Sequence, residues 1–310
     1  MPTATAYYVA HQAIPEQIVP GKRLGRNYKF DSRSAAYPWQ RSGRKAAGPV
    51  LLERVIPILD QGNVGSCTGN AETGALGTAP VFADLPAGTS WKTALNEKFA
   101  VGVYSDAENI DGDGPYPPND NGSSGTSVMQ VAKNRGLIGG YTHAMSVADV
   151  SDAVQSGRPV IIGAYWYDSF DSPDSSGVIT ITRGAQPRGG HEWLLRGDDP
   201  GAQQFFADNS WGLGWGSVPG NKGSFLVPYK VLDQLLGEQG DGQVPAPLSQ
   251  PAPVPVPVPT PTPPGPGPDP DAAYGSDPKL ITWAGLHHVT GNRYAAEAYT
   301  AWRIAKGYQS

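Results

Sequence analysis

Leu59-Asp60-Gln61-Gly62-Asn63-Val64-Gly65-Ser66-Cys67-Thr68-Gly69-Asn70-Ala71 is the stretch on which the fold of this chain turns, and it holds the single cysteine among 310 residues. Gly62 and Gly65 supply turn chemistry ahead of a run of small residues, Ser66 to Ala71, suited to opening a helix with Cys67 near its first turn. A cysteine so placed meets unpaired N–H groups and the positive end of the helix dipole. Both favour the thiolate, and the thiolate is the nucleophile. Such a thiol also needs a base, a group that orients the base, and donors for an oxyanion. A solitary cysteine is most often a small buried apolar residue, but Gln61, Gly65 and Ser66 are poor core neighbours.

Two later stretches carry the missing parts. Gly189-Gly190-His191-Glu192-Trp193-Leu194-Leu195 leads a histidine into an apolar, strand-like run. Asn209-Ser210-Trp211-Gly212-Leu213-Gly214-Trp215-Gly216 follows the apolar run Phe205-Phe206-Ala207. The order Gln61, Cys67, His191, Asn209, with the Asn-Ser-Trp-Gly block intact, resembles a papain-family cysteine peptidase. His191 and Asn209 lie near the roughly 130–150 residues downstream of the cysteine found in papain-like enzymes.

The resemblance implies Cys67 as nucleophile, His191 as base and acid, and Asn209 as the residue orienting the imidazole. It also implies the Gln61 amide and the Cys67 N–H as oxyanion donors and Trp211 as a shield over the His191–Asn209 contact. Gly125, with Ser124 beside it, is the expected place where substrate backbone is hydrogen-bonded. No cofactor or metal is implied, and the substrate is a peptide or protein. Departures from the family pattern concern specificity more than chemistry: Thr68 replaces an aromatic after the nucleophile, and Glu192 follows the histidine where a small residue is common. Val64 stands where many relatives have a disulfide cysteine, and the long helical propeptide is missing. These traits resemble bacterial or bacteriophage members. Two other classes stay open: a catalytically retired papain fold with a structural or binding role, for example in a virus particle, and an amidase or transpeptidase acting on cell-wall peptides.

Composition bounds the remainder. With 40 Gly, 31 Pro and 39% hydrophobic residues the chain is loop-rich yet able to build a core. A net charge of −5 without a dense basic patch speaks against nucleic acid as partner. One cysteine forms no internal disulfide, so folding does not depend on an oxidising compartment. No signal-peptide pattern and no apolar run of about 18 residues occurs, so we expect cytoplasmic synthesis and no membrane span, with release by lysis or packaging in a virion as the routes out.

Four segments are expected. Residues 1–49 form an extended, basic, Pro-punctuated arm, read as a surface strap packed by Tyr28, Phe30, Tyr37 and Trp39, with a short pro-segment over the cleft as the alternative. Residues 50–243 form the peptidase-like domain, α+β and two-lobed, with helices first and antiparallel strands after. Helical periodicity runs from Ser90 to Ile110, and a second helix from Val128 to Arg135 is capped by Ser123 to Ser127. A short third helix begins near Asp149 or Ser151. Strands are expected at Val160–Trp166, Val178–Thr182, Glu192–Arg196, Gln204–Ala207 and Ser224–Val227. The acidic loop Asp111 to Gly122 reads as a solvated turn cluster, since it lacks the pattern of an EF-hand. Residues 244–270 form a polyproline-II linker, and residues 271–310 a helical pair too small to be stable alone, suited to attachment to a protein partner. A chain ending near Gly242 is accordingly expected to fold and stay active.

Overall fold

A computed structural model describes residues 16–28, 36–43, 48–250, 253 and 255. The helical pair expected at 271–310, its protein partner, and most of the Pro-rich linker lie outside the described residues.

The elements follow in the order β1 (Val50–Leu51), α1 (Cys67–Leu76), α2 (Trp91–Ala94), α3 (Glu97–Asp111), α4 (Gly125–Asn134), β2 (Gly140–Ala144) and α5 (Val147–Gln155). The second half holds β3 (Val160–Tyr167), β4 (Pro187–Asp199), β5 (Gln204–Asp208), β6 (Ser224–Pro228), α6 (Tyr229–Glu238) and β7 (Asp241–Ala246). The strands form one sheet in the order β2-β7-β3-β4-β5-β6, with β1 on β4, and every pairing between them is antiparallel. The α+β expectation holds. No helix among the described residues is long and apolar enough to cross a membrane.

Local chemistry sets the helix ends. Asn96 accepts a hydrogen bond from Phe99 N, Ser124 from Ser127 N, and Ser146 from Asp149 N, each satisfying an orphan donor at a helix start. The Asn96 cap splits the helix expected from Ser90 to Ile110 into α2 and α3, because a residue extended at φ −133° cannot continue the first one. Gly112 closes α3 at φ 91°, a conformation that favours glycine. The loop beyond it engages its carboxylates internally. Asp120 accepts from Gly65 N and Tyr104 Oη, and Asp111 accepts from Ser123 Oγ and Ser127 Oγ.

Two cores flank the central strands. Along β3, Val160, Ile162, Ala164 and Trp166 enter one cluster with α5 and α6, whereas Ile161 enters the other. Along β4, Trp193 and Leu195 join the first cluster and Leu194 the second, which is built mainly from α1, α3 and α4. Period-two alternation thus serves a helical lobe on one side and the barrel-like sheet's own interior on the other. All ten residues of α1 are buried, and Gly69 permits the closest approach: a Cβ there would lie 2.2 Å from Ala100 O of α3. Val178–Thr182 is not a strand; Val178 forms an isolated pairing with Leu226.

The boundary at 243 is corrected. Val244 and Pro245 belong to β7 and pair with Thr142 and Tyr141 of β2. β3 pairs β7 only at Asp241–Gln243, so Pro245 lies beyond that ladder and its missing N–H leaves no gap there. Past the strand, Ser249 bonds Asp84 and Arg158 bonds Gln250, so ordered contacts reach Gln250. A chain ending after Gly242 loses the buried Val244 and most of the β2–β7 ladder. Its thermal midpoint is expected to fall by roughly 10 °C, whereas a chain ending after Gln250 should melt like the whole body; equal midpoints would contradict this assignment.

Candidate active site

Cys67 is the first residue of α1 and is fully buried. The segment that delivers it is tied to the Asn-Ser-Trp-Gly block across the site. Asp60 bridges Trp211, Gln61 N donates to Ser210 O at 2.9 Å, and Gly212 N donates to Leu59 O at 3.0 Å. The Gln61 side chain is held in the same seam, with Oε1 accepting from Ser210 Oγ at 2.6 Å and Nε2 donating to Val64 O at 2.8 Å. Two motifs separated by most of the domain are thus locked together by backbone.

His191 lies on β4, opposite Ala164 of β3. Its Nε2 is 2.8 Å from Asn209 Oδ1. That same oxygen accepts from Ser210 N at 2.7 Å, so it is the carbonyl oxygen of the amide, and Nε2 must carry the proton. The tautomer leaves a lone pair on Nδ1, which is buried and has no partner. The imidazole is caged by indoles, with ring centroids 5.0 Å away for Trp211 and 4.9 Å for Trp166. Asp208, one residue before Asn209, fixes the end of β5. It is buried between Arg54 at 3.1 Å and Arg196 at 2.7 Å and also accepts from Ser224 Oγ. A buried carboxylate with two cations and a hydroxyl is well satisfied, and removing its partners would leave an uncompensated charge.

Residues 16–28 do not form a surface strap. They run through the cleft, which corrects that expectation for this part of the arm. Gly25 N and Arg26 N both donate to Gly190 O, at 3.1 and 3.0 Å. Across the groove, Asn27 N donates to Ser123 O at 2.7 Å and Ser123 N to Gly25 O at 2.9 Å. Trp211 Nε1 donates to Arg23 O at 3.0 Å. Backbone approaches this closely only where side chains are absent: a Cβ on Gly25 would lie 2.1 Å from Gly65 O, and one on Gly190 would lie 2.1 Å from Arg26 O. Residues 36–43 do lie as a strap, with Trp39 Nε1 and Ser42 bonded to Asp152 of α5.

This cover decides the electrostatics. Burial pushes the Cys67 thiol well above its usual range; the negative charge of Glu192 adds to this, and N–H groups of Glu192 and Thr68 oppose it. Burial likewise pulls His191 down to about 3, against the hydrogen bond to Asn209. In the arm-occupied state both groups are therefore neutral at ordinary pH, so the thiolate expected at the helix start is not its ground state. Desolvation outweighs the helix dipole.

Gly125 and Ser124 are not where the cleft holds backbone. Ser124 caps α4, its Oγ engaged with Ser127, and Gly125 faces the side chains of Glu192 and Gln243. Ser123 makes the backbone pairs instead. The sequence signal for it was its place just before a capped helix; a preference for glycine there obscured it. Gly25, Arg26, Gly65 and Gly190 were also missed as cleft residues, although glycines beside both Cys67 and His191 mark a seat for an extended chain. No group of three or more metal-ligating side chains occurs among the described residues.

No protein-family model matches this chain. In sequence it is similar to an uncharacterised peptidase C1-like protein of Acanthamoeba polyphaga mimivirus, 32% identical over 94 residues, spanning 29% of this chain and 29% of the relative. In structure it is similar to xylellain, a cysteine protease from Xylella fastidiosa. The TM-score is 0.56 and the identity 18%, over 77% of this chain and 99% of that one. Digestive procathepsin L 3 of Tenebrio molitor larval midgut gives 0.49 at 17% identity, over 73% and 76%. The chain has a papain-like fold, as its motifs imply.

Proposed function

We propose that this chain is a cysteine peptidase held latent by its own arm. The observation that carries the proposal is an extended polypeptide, Arg23 to Asn27, gripped through its backbone between the Cys67 segment and the His191–Asn209 couple. A site that grips peptide backbone at Gly190 and Ser123 takes peptides largely irrespective of sequence, which favours protein substrates over other amides.

In the proposed reaction the arm has left and the site is hydrated. Cys67 Sγ gives its proton to His191 Nδ1, the nitrogen left free by the Asn209 bond. The thiolate attacks the peptide carbonyl to form a tetrahedral oxyanion facing the Cys67 N–H and the Gln61 amide. Imidazolium then protonates the leaving amine and a thioester remains. His191 next takes a proton from water, which attacks the thioester and releases the acid and the thiol. Trp211 keeps water from the Nε2–Oδ1 bond.

The test is an epoxide inhibitor of papain-like enzymes. One inhibitor mass is expected per chain, located on Cys67, slowly while the arm is seated and not at all in His191→Ala. Labelling indifferent to His191 would leave a papain-like fold without a Cys–His couple.

A further inference from the structure

Cys67 opens α1 and Asn209 follows β5, and a small cavity lies between these two elements. Its volume is about 10 Å³, and its walls include Asn70 of α1, Asn209, Arg54 and Asp208, with Leu59 and Leu194 on the apolar side. Arg54 Nη1 and Asp208 Oδ2 already bond each other at 3.1 Å. The two asparagines are not satisfied in this way. Each is 3% exposed, and each leaves one atom of its side-chain amide buried without a partner. In Asn70 that atom is the acceptor Oδ1, and in Asn209 it is the donor Nδ2.

Neither amide can turn over to relieve this. Asn70 Nδ2 lies 3.0 Å from Ser66 O, 3.1 Å from Ser66 Oγ and 3.1 Å from Glu97 Oε1. The nitrogen is held among acceptors, and the oxygen is left over. Glu97, the first residue of α3, also accepts from Asp60 N at 3.1 Å, so one carboxylate braces Asn70 and the segment that carries Gln61. On the opposite wall, Asn209 Oδ1 is committed to Ser210 N and His191 Nε2, which leaves the nitrogen over. Burying a donor and an acceptor unpaired is destabilising, and one water bonded to both removes the penalty. The cavity has room for one water.

We propose that the cavity is a binding site for one structural water that accepts from Asn209 Nδ2 and donates to Asn70 Oδ1, and that Asn70 is thereby a positioning residue. The proposal rests on the peptidase reading and goes beyond it, adding a residue that acts through Asn209. Its effect is on the tautomer of His191. Held by the water, the Asn209 amide presents its oxygen to Nε2–H, and Nδ1 keeps the lone pair that receives the thiol proton. If the amide turned, its nitrogen would face Nε2, the ring proton would move to Nδ1, and the base would be lost. Ser210 N holds one end of that amide, and the water holds the other.

The test reads the water and the tautomer apart from turnover. A crystal structure of the full chain is expected to show an ordered water within hydrogen-bonding distance of both Asn70 Oδ1 and Asn209 Nδ2. Asn70→Leu keeps the shape of the side chain and removes its polar atoms. In that variant, proton–nitrogen correlation of the His191 ring should show the Nδ1–H form rising about tenfold relative to the Nε2–H form, the scale of one buried hydrogen bond. With peptide substrate, kcat should fall about tenfold and KM stay within about twofold. Added to Asn209→Ala, the substitution should cost little more, because the water acts only through Asn209. A merely structural Asn70 would lower the thermal midpoint and leave the tautomer where it was. An unchanged tautomer ratio in the folded variant, or no water bridging the two atoms, overturns the proposal. Should Asn70→Leu not fold, the unmodified chain decides. A nuclear Overhauser contact between the Asn209 Nδ2 protons and a long-lived water is then expected, and its absence overturns the proposal. A bridging water and a shifted tautomer in a chain that hydrolyses no peptide would sink the peptidase reading and keep the site. Hydrolysis with the tautomer unmoved would do the reverse.

Discussion

Replacing His191 by alanine is expected to slow peptide hydrolysis roughly ten-thousand-fold, the scale on which a nucleophile loses its base. The expectation follows from one atom. Nδ1 is the free imidazole nitrogen, because Nε2 must donate to an oxygen that already accepts from Ser210 N. Asn209→Ala should cost less, since it removes the orientation of the ring but not the base, and the two losses should fall well short of additive. The pH profile separates base from scaffold: the residual activity of His191→Ala should rise steadily with pH as hydroxide ionises the thiol, without the plateau that an ion pair gives. A drop of less than about tenfold would show that His191 is a core residue and no base.

Gly25→Val should have the opposite sign, raising hydrolysis by roughly thirty-fold or more through destabilising the covered state. Gly25 sits at φ 147°, a conformation that favours glycine, and a Cβ there would stand 2.1 Å from the carbonyl oxygen of Gly65. Neither atom in that collision is a flexible side-chain end, so the arm must leave or the cysteine segment must move. Alkylation of Cys67 by iodoacetamide reports which occurs. In the unmodified chain the thiol is pushed up and the imidazole down to about 3, so both stay neutral from about pH 4 to 8 and labelling should be slow throughout. Once uncovered, both groups regain solvent, the thiol falls, the imidazole rises, and labelling should quicken near neutral pH. Unchanged hydrolysis and labelling in Gly25→Val would mean that the arm is no brake.

The motifs around Cys67, His191 and Asn209 were legible because each is a local pattern; the fold sets His191 on Asn209 and ties Gln61 to Ser210. The lobes were legible through periodicity, which in β3 and β4 separates two cores cleanly. What escaped was whatever depends on a distant partner. Asp-Gly-Gln-Val-Pro-Ala carries no strand signal of its own, yet becomes β7 because β2 and β3 hold it on two sides. Leu24-Gly25-Arg26 reads as a polar, glycine-broken arm, but Leu24 is fully buried and Arg26 nearly so, since the cleft supplies their environment. Ser123 was passed over for Gly125 because a backbone contact leaves no mark on side-chain choice. Glu192 stood out as a departure from a family pattern, while Asp241, on β7 three strands later, gave no local sign that its carboxylate lies with that of Glu192 over Gly163.

The arm's attachment has a kinetic meaning. Arg26 is covalently continuous with the strap at 36–43, so its local concentration at the cleft is fixed by chain length and does not fall on dilution. For short tethers that effective concentration is on the order of millimolar. A free peptide must reach that range merely to compete, and a dilute solution of the chain is as quiescent as a concentrated one. A single cut anywhere between Tyr28 and Ala36 changes the order of the reaction: the occupant becomes a separate molecule, its hold now obeys mass action, and dilution alone releases the site.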